Sequence, residues 1–133
     1  MSKKKDSACP CGSGLDYADC CRRFIEAGQK AATPEQLMRS RYCAYRLGYE
    51  SYLLATWHRS TKPASLNLDD ATGTKWIGLE ILSAPPPTGD EGFVEFIARF
   101  RQNGRAGRMH ERSRFWREAG EWFYVTGEVD SDP

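Results

Sequence analysis

The chain has 133 residues, 40% of them hydrophobic and 28% charged, with a formal net charge of +1. That length suits one domain with an appendage and is enough to bury a core. The near-neutral balance steers it towards neither nucleic acid nor membrane, and no apolar run approaches the ~20 residues of a membrane helix. The opening "MSKKKDSACPCG" has lysines but no hydrophobic stretch behind them, so no secretory leader is expected. A cytoplasmic setting follows, in which thiols stay reduced.

Four of the five cysteines crowd into the thirteen residues of "CPCGSGLDYADCC": Cys9, Cys11, Cys20 and Cys21. A reducing compartment disfavours a disulfide framework and favours a metal. Zinc takes four thiolates at tetrahedral vertices. Cys9-Pro10-Cys11 offers two of them from one tight turn, with a backbone dihedral fixed by Pro10. The glycines of "GSG" let the chain reverse, and the vicinal pair closes the site after eight intervening residues. One structural Zn2+ is expected. A site closed by four thiolates has no open position for water, so it is not catalytic. Four unrelated cysteines and a vicinal-disulfide switch, a strained ring, are the competing readings.

Next, "CCRRFIEAG" reads as a short helix stopped at Gly28, followed by the polar connector "QKAA". Thr33-Pro34-Glu35-Gln36 is a helix start, with Thr33 at the N-cap, Pro34 at the first position and Gln36 three residues on. Met38, Tyr42 and Tyr45 then recur on one apolar face until Gly48. "YESYLLATW" reads as a second helix carrying Tyr49, Leu53 and Trp57 in one stripe. "STKPASLNLDDATG" is turn-rich and reads as an irregular connection.

The period then changes to two. "KWIGLEILS" is a strand with Ile77, Leu79 and Ile81 on one face, and "PPPTGDEG" is a hairpin-type loop. "FVEFIARFRQ" faces Val94, Phe96, Ala98 and Phe100 one way. "NGRAG" turns the chain into "RMHERSRFWRE", and "AG" is a two-residue hairpin before "EWFYVTG". Helices followed by a four-stranded antiparallel meander make an α+β domain.

"CPCGSG", a short spacer and "CC" resemble the SEC-C motif, the zinc-binding element at the end of the SecA translocase and of many other bacterial proteins. The usual spacer is basic; here it is "LDYAD", with Asp16 and Asp19. In SecA the element contacts the chaperone SecB and the ribosome, which implies a protein or ribosomal partner. Beyond it, "TPEQLMRSRYCAYRLGYESYLLATWHRSTKP", "WIGLEIL", "GFVEFIARFR" and "ERSRFWREAGEWFYVTG" resemble the YchJ family of uncharacterised bacterial proteins. The resemblance runs from Cys9 to Gly127. It implies a cone-shaped nuclear transport factor 2-like domain, whose curved four-stranded antiparallel sheet wraps around helices. The implied organisation is a zinc knuckle with its short helix over residues 1–28, the cone domain over 33–128 and an acidic tail over 129–133.

A cone of this kind often leaves a pocket at its open end, where a few polar groups converge. Arg41, Tyr42, Trp57, His58 and Arg112 are the candidates to line it. Arg41 lies among inward positions and needs a carboxylate, for which Glu80 and Glu95 are available, or else an anionic ligand. His58 has no nucleophile or carboxylate at a telling distance in the sequence, and capping the second helix is its plain role. Cys43, between tyrosines, reads as a small buried hydrophobe. Residues 99–117 hold seven arginines and one acid, whereas residues 118–133 hold five acids and no base. Alternation splits those arginines between two faces, which fits a self-neutralised sheet and at most weak RNA binding.

Three function classes follow. The first is a non-enzymatic adaptor docking through its zinc knuckle, and it is the one favoured here because no catalytic constellation stands out. The second is a small-molecule binder or enzyme using the cone pocket. The third is a weak RNA binder using Lys3 to Lys5 and the arginines.

Overall fold

The computed structural model describes residues 8–66 and 74–131. Lys3 to Lys5 and residues 67–73 of the irregular connection lie outside them. A 3-10 turn, Tyr17–Asp19, precedes the helices α1 (Arg22–Ile25), α2 (Pro34–Leu47) and α3 (Glu50–Ala55). Four strands follow: β1 (Lys75–Ser83), β2 (Glu91–Gln102), β3 (Arg105–Glu118) and β4 (Glu121–Ser131). They form one antiparallel sheet in the order β1-β2-β3-β4. Among the described residues no helix is long and apolar enough to cross a membrane.

The start of α2 is the one its residues dictate. The Thr33 hydroxyl accepts the Gln36 N–H at 3.1 Å, and the Gln36 side chain accepts the Ala32 N–H at 2.8 Å. A cap of this kind contributes about 1 kcal/mol. Gly48, at φ 86°, ends the helix in the left-handed region. Leu37, Met38, Arg41, Tyr42 and Ala44 are buried along α2.

The second helix is shorter than its apolar stripe implies, and this is a correction. α3 stops at Ala55, because the Thr56 hydroxyl folds back onto the Tyr52 carbonyl at 2.8 Å and competes with the next turn. Trp57 therefore lies beyond the helix and bridges Tyr124 in parallel. The Tyr124 N–H donates to the Thr56 carbonyl, and the His58 N–H donates to the Tyr124 carbonyl. The segment after α3 is thus sewn to β4.

The sheet's register shifts at β1 and again between β3 and β4, beside Arg114 and Phe115. Val94, Phe96 and Ala98 of β2 are buried as expected. In β1 a bulge between Trp76 and Gly78 inserts one residue and flips the face. Trp76 turns inward to meet Phe100 edge-on, and Ile77 is left 47% exposed. Asn103-Gly104 and Ala119-Gly120 all have positive φ, the conformation of two-residue hairpin loops. Residues 105–107 belong to β3, not to a longer turn. A side chain at Gly107 would strike the Phe100 ring, so the glycine there serves the strand. β4 continues to Ser131, which brings most of the expected acidic tail into the sheet.

The knuckle is no separate body. Cys9, Cys11, Cys20 and Cys21 belong to the same buried cluster as Leu37, Met38, Tyr42, Val94 and Phe115. A Cβ at Gly12, φ 80°, would stand 3.2 Å from the Leu79 carbonyl oxygen of β1. The cysteine-bearing turn therefore packs against the domain.

Candidate functional site

The four cysteines present one sulfur each, and all four sulfurs lie within 4.8 Å of one another. None is in a disulfide. Zn–S bonds of about 2.3 Å place the sulfurs of a tetrahedron about 3.8 Å apart. Cys11–Cys20 at 3.7 Å and Cys20–Cys21 at 3.9 Å match that edge. The donor set therefore fits a tetrahedral thiolate metal, with zinc the ion that favours it.

The surroundings suit anionic sulfur. Hydrogen bonding from Cys21 holds the Cys11 thiol well below its ordinary pKa, and the same bond pushes Cys21 up. Arg39 of α2 donates to the Cys11 carbonyl at 2.8 Å and stands 3.8 Å from its sulfur. Ser13 Oγ lies 3.2 Å from the Cys20 sulfur. Glu26 fastens the outer side of the knuckle, accepting from both Tyr17 and Tyr49. Cys43 proves more than a filler. Its sulfur lies 3.5 Å from that of Cys9, so a fifth thiol touches the cluster from α2. Sequence spacing could not reveal this, because thirty-four positions separate the two.

A second site lies between α2 and the sheet. A cavity of about 230 Å³ is lined by Met38, Trp76, Phe96, Ala98 and Met109, with Arg41, Tyr42, Tyr45, Tyr124, Glu111 and Ser113 supplying polar atoms. Arg41 is only 2% exposed. Its guanidinium donates to the Leu53 carbonyl at 2.8 Å and to Thr56 Oγ1 at 2.7 Å. It stacks over Tyr124 and Trp57, with centroids 4.6 and 5.1 Å away. Burial lowers its pKa. Glu80 and Glu95, the partners expected for it, pair instead with Arg99 and His110. Among the described residues no carboxylate forms an ion pair with Arg41.

Glu111 is the residue that sequence reasoning missed. It lies on β3 at a position where alternation turns it inward, beside the buried Ser113 and Phe115. Ser113 donates to its carboxylate at 2.6 Å, and the Tyr124 hydroxyl lies at 3.5 Å. Gly127, opposite Ser113 on β4, leaves the space: a Cβ there would stand 1.9 Å from Glu111 Oε2. The inward period was readable; the lone acid among seven arginines disguised it as a surface charge.

The expected five-residue pocket does not assemble. Arg41 and Tyr42 line the cavity, but Trp57 packs behind Arg41. Trp57 and His58 border a separate shallow hollow with Glu118 and Phe123. Arg112 points outwards, exposed over the Phe93 ring. His58 Nε2 meets Glu118 at 2.8 Å, and its Nδ1 accepts both the N–H and the hydroxyl of Ser60. Serine, histidine and carboxylate thus form a chain. Both Ser60 contacts nevertheless end on one nitrogen of a tight exposed turn, and Arg59 also claims Glu118. The chain fastens the loop after α3 to the β3–β4 hairpin.

Residues 33–127 match the YchJ middle NTF2-like domain, and residues 7–23 match the SEC-C motif. The chain belongs to the YchJ family. A UPF0225 protein of Chromobacterium violaceum is 53% identical over 135 residues, covering 97% of this chain and 99% of that protein. Another UPF0225 protein, from Methylibium petroleiphilum, is 47% identical over 122 residues, covering 92% and 88%. A SEC-C motif containing protein of Rhodopseudomonas palustris, known from a solution structure, superimposes with a TM-score of 0.83. It is 38% identical, over 90% of this chain and 96% of that one. A putative calcium/calmodulin-dependent protein kinase type II association domain of Thiobacillus denitrificans gives 0.62 at 14% identity, over 79% and 99%. That last likeness is one of fold alone. The YchJ assignment accounts for the α+β order, the cone-type sheet and the N-terminal cysteine cluster together.

Proposed function

We propose that this YchJ-family chain is a zinc-stapled binding protein, in which one structural Zn2+ on Cys9, Cys11, Cys20 and Cys21 holds the knuckle against a ligand-binding cone. The reading rests above all on Arg41, a buried cation on a cavity wall that forms no ion pair among the described residues, although the charge of Glu111 acts on it across the cavity. Buried charges are normally paired or bound to something. The zinc assignment is supported by sulfur separations that match a tetrahedral edge. No histidine lines the cavity, and its one serine, Ser113, is fully buried with its hydroxyl held by Glu111, so the reading is binding and not catalysis. Reduced thiols imply the cytoplasm. Native mass spectrometry of the freshly purified chain tests both parts: one zinc is expected, together with a small adduct that unfolding releases. Protein carrying neither would overturn the proposal.

An adaptor role is the second reading. Leu15 is 51% exposed at the knuckle's surface and would suit an apolar contact with a protein or ribosomal partner. Pull-down with wild type beside Leu15→Ser tests it; equal recovery of every bound protein would end it. RNA binding has less support, because Arg99, Arg114 and Arg117 pair with Glu80, Glu91 and Asp90.

A further inference from the structure

The cavity places two opposite charges in an otherwise apolar, aromatic wall. Arg41 comes from α2 and is 2% exposed; Glu111 comes from β3 and is 9% exposed. They are not joined in an ion pair, since Glu111 takes its hydrogen bond from Ser113 and Arg41 donates to Leu53 and Thr56. A third polar group lies on the same wall, with the Arg46 side chain and the Gly78 backbone near it. The Tyr42 hydroxyl is buried and makes no close hydrogen bond among the described residues, and Tyr42 lines this same cavity. A buried hydroxyl left unpaired costs about 1–3 kcal/mol, so a ligand atom that meets it recovers that loss.

We propose that the cavity binds a small zwitterion with an apolar body, of the class of the hydrophobic α-amino acids. Its carboxylate meets Arg41 and the Tyr42 hydroxyl, and its ammonium group meets Glu111. The inference rests on the ligand-binding reading above and adds the class of ligand. Charge selects that class. A simple anion would gain Arg41 but be repelled by Glu111, and a simple cation would suffer the reverse. Only a molecule carrying both charges satisfies both walls. The body is set by Met38, Phe96, Ala98, Met109 and Trp76, which offer carbon and sulfur and no charge. Size agrees, since about 230 Å³ is below the roughly 300–1,000 Å³ of sites for drug-sized ligands.

The test is titration of the full zinc-loaded chain, followed by NMR of the Met38, Ala98 and Met109 methyl groups. Three probes of one shape are used: leucine, 4-methylpentanoate, which lacks the amine, and isopentylamine, which lacks the acid. Phenylalanine extends the size range. Leucine or phenylalanine should shift these methyls and bind at least about tenfold more tightly than either single-charge probe, a difference of about 1.4 kcal/mol. Glu111→Gln keeps the side chain's size and should remove the advantage of leucine over 4-methylpentanoate. Tyr42→Phe removes only the hydroxyl and should weaken leucine and 4-methylpentanoate alike. If 4-methylpentanoate or isopentylamine binds as tightly as the amino acids, the zwitterion is wrong and the ligand-binding reading stands. Glu111→Gln with an unchanged preference also overturns the zwitterion. If no probe shifts the cavity methyls, both proposals fall.

Discussion

The sulfurs of Cys9 and Cys43 stand 3.5 Å apart, one in the N-terminal cysteine turn and the other on the buried face of α2. That contact joins the knuckle to the helix that also carries Arg41 and Tyr42. Arg39, on the same helix, holds the Cys11 carbonyl. Cysteine cluster and cavity therefore share a wall, and what loosens one should reach the other.

Chelation is the direct probe of that coupling. A knuckle independent of the domain would melt alone and leave the cone standing on its own core. The shared core predicts otherwise. Elemental analysis should give one zinc per chain, and removing it should lower the melting temperature of the whole protein. Structural zinc supplies about 10–16 kcal/mol in small peptides. In domains of this size about 1 kcal/mol already moves Tm by roughly 2–8 °C. A calorimetric transition unchanged by a chelator that strips the zinc would restore the independent knuckle.

Cys43→Ala separates neighbour from ligand. If the metal is held by the four clustered cysteines, the variant should keep one zinc per chain. Its cost should be that of a small deletion in the core, about 1 kcal/mol. Cys20→Ser should instead lose the metal. Cobalt substitution reads this directly through the thiolate charge-transfer bands, which should survive Cys43→Ala and change in Cys20→Ser.

The parts legible in the sequence were those written locally. Thr33 and Gln36 announce the start of α2, Ala119-Gly120 announces a hairpin, and the cysteine spacing announces a four-thiol cluster. What was illegible depends on long-range packing. The bulge at Ile77 cannot be seen in "KWIGLEILS", because it is fixed by pairing with β2. Trp57 fits the helical stripe of Tyr49 and Leu53 until Thr56 and Tyr124 compete for the backbone. Arg41 was legible as an inward cation, but its partners are a carbonyl, a hydroxyl and two rings, which no charge pattern encodes. Glu111 needed the sheet face and the empty position at Gly127 together.

Acid should loosen the outer side of the knuckle first. Hydrogen bonds from Tyr49 and Tyr17, helped by Arg22, hold the Glu26 carboxyl below its ordinary value. A depressed carboxylate contributes stability that is fully present above the unfolded pKa, about 4.3. That contribution is lost as pH falls through the lower, folded value. Protection of the amides of residues 17–26 against hydrogen exchange, relative to the free-peptide rate at the same pH, should fall below about pH 4 in wild type. In Glu26→Gln the same amides should exchange faster already at neutral pH, with little further acid response. Because Glu26 is exposed, solvent screens the effect, and the global melting temperature should hardly change. Equal acid sensitivity in the two proteins would show that Glu26 is not the group responsible.

Gly127 gives the sharpest test of the cavity's architecture. Its backbone is not in the left-handed region, so alanine is conformationally acceptable there. The obstacle is space: the new Cβ would stand 1.9 Å from Glu111 Oε2 and 2.6 Å from its carboxyl carbon. Gly127→Ala must push the carboxylate away from Ser113, leaving a buried hydroxyl without its acceptor. Overpacking of this kind costs about 1–3 kcal/mol, and urea denaturation should show it. Because the clash is with one side chain, Glu111→Ala should remove most of the penalty, so the double variant should be more stable than the two single costs predict. Contacting residues commonly couple by about 0.5–3 kcal/mol. Strict additivity would mean that Gly127 is required by something other than the Glu111 carboxylate, and the glycine would no longer mark the cavity's acidic wall.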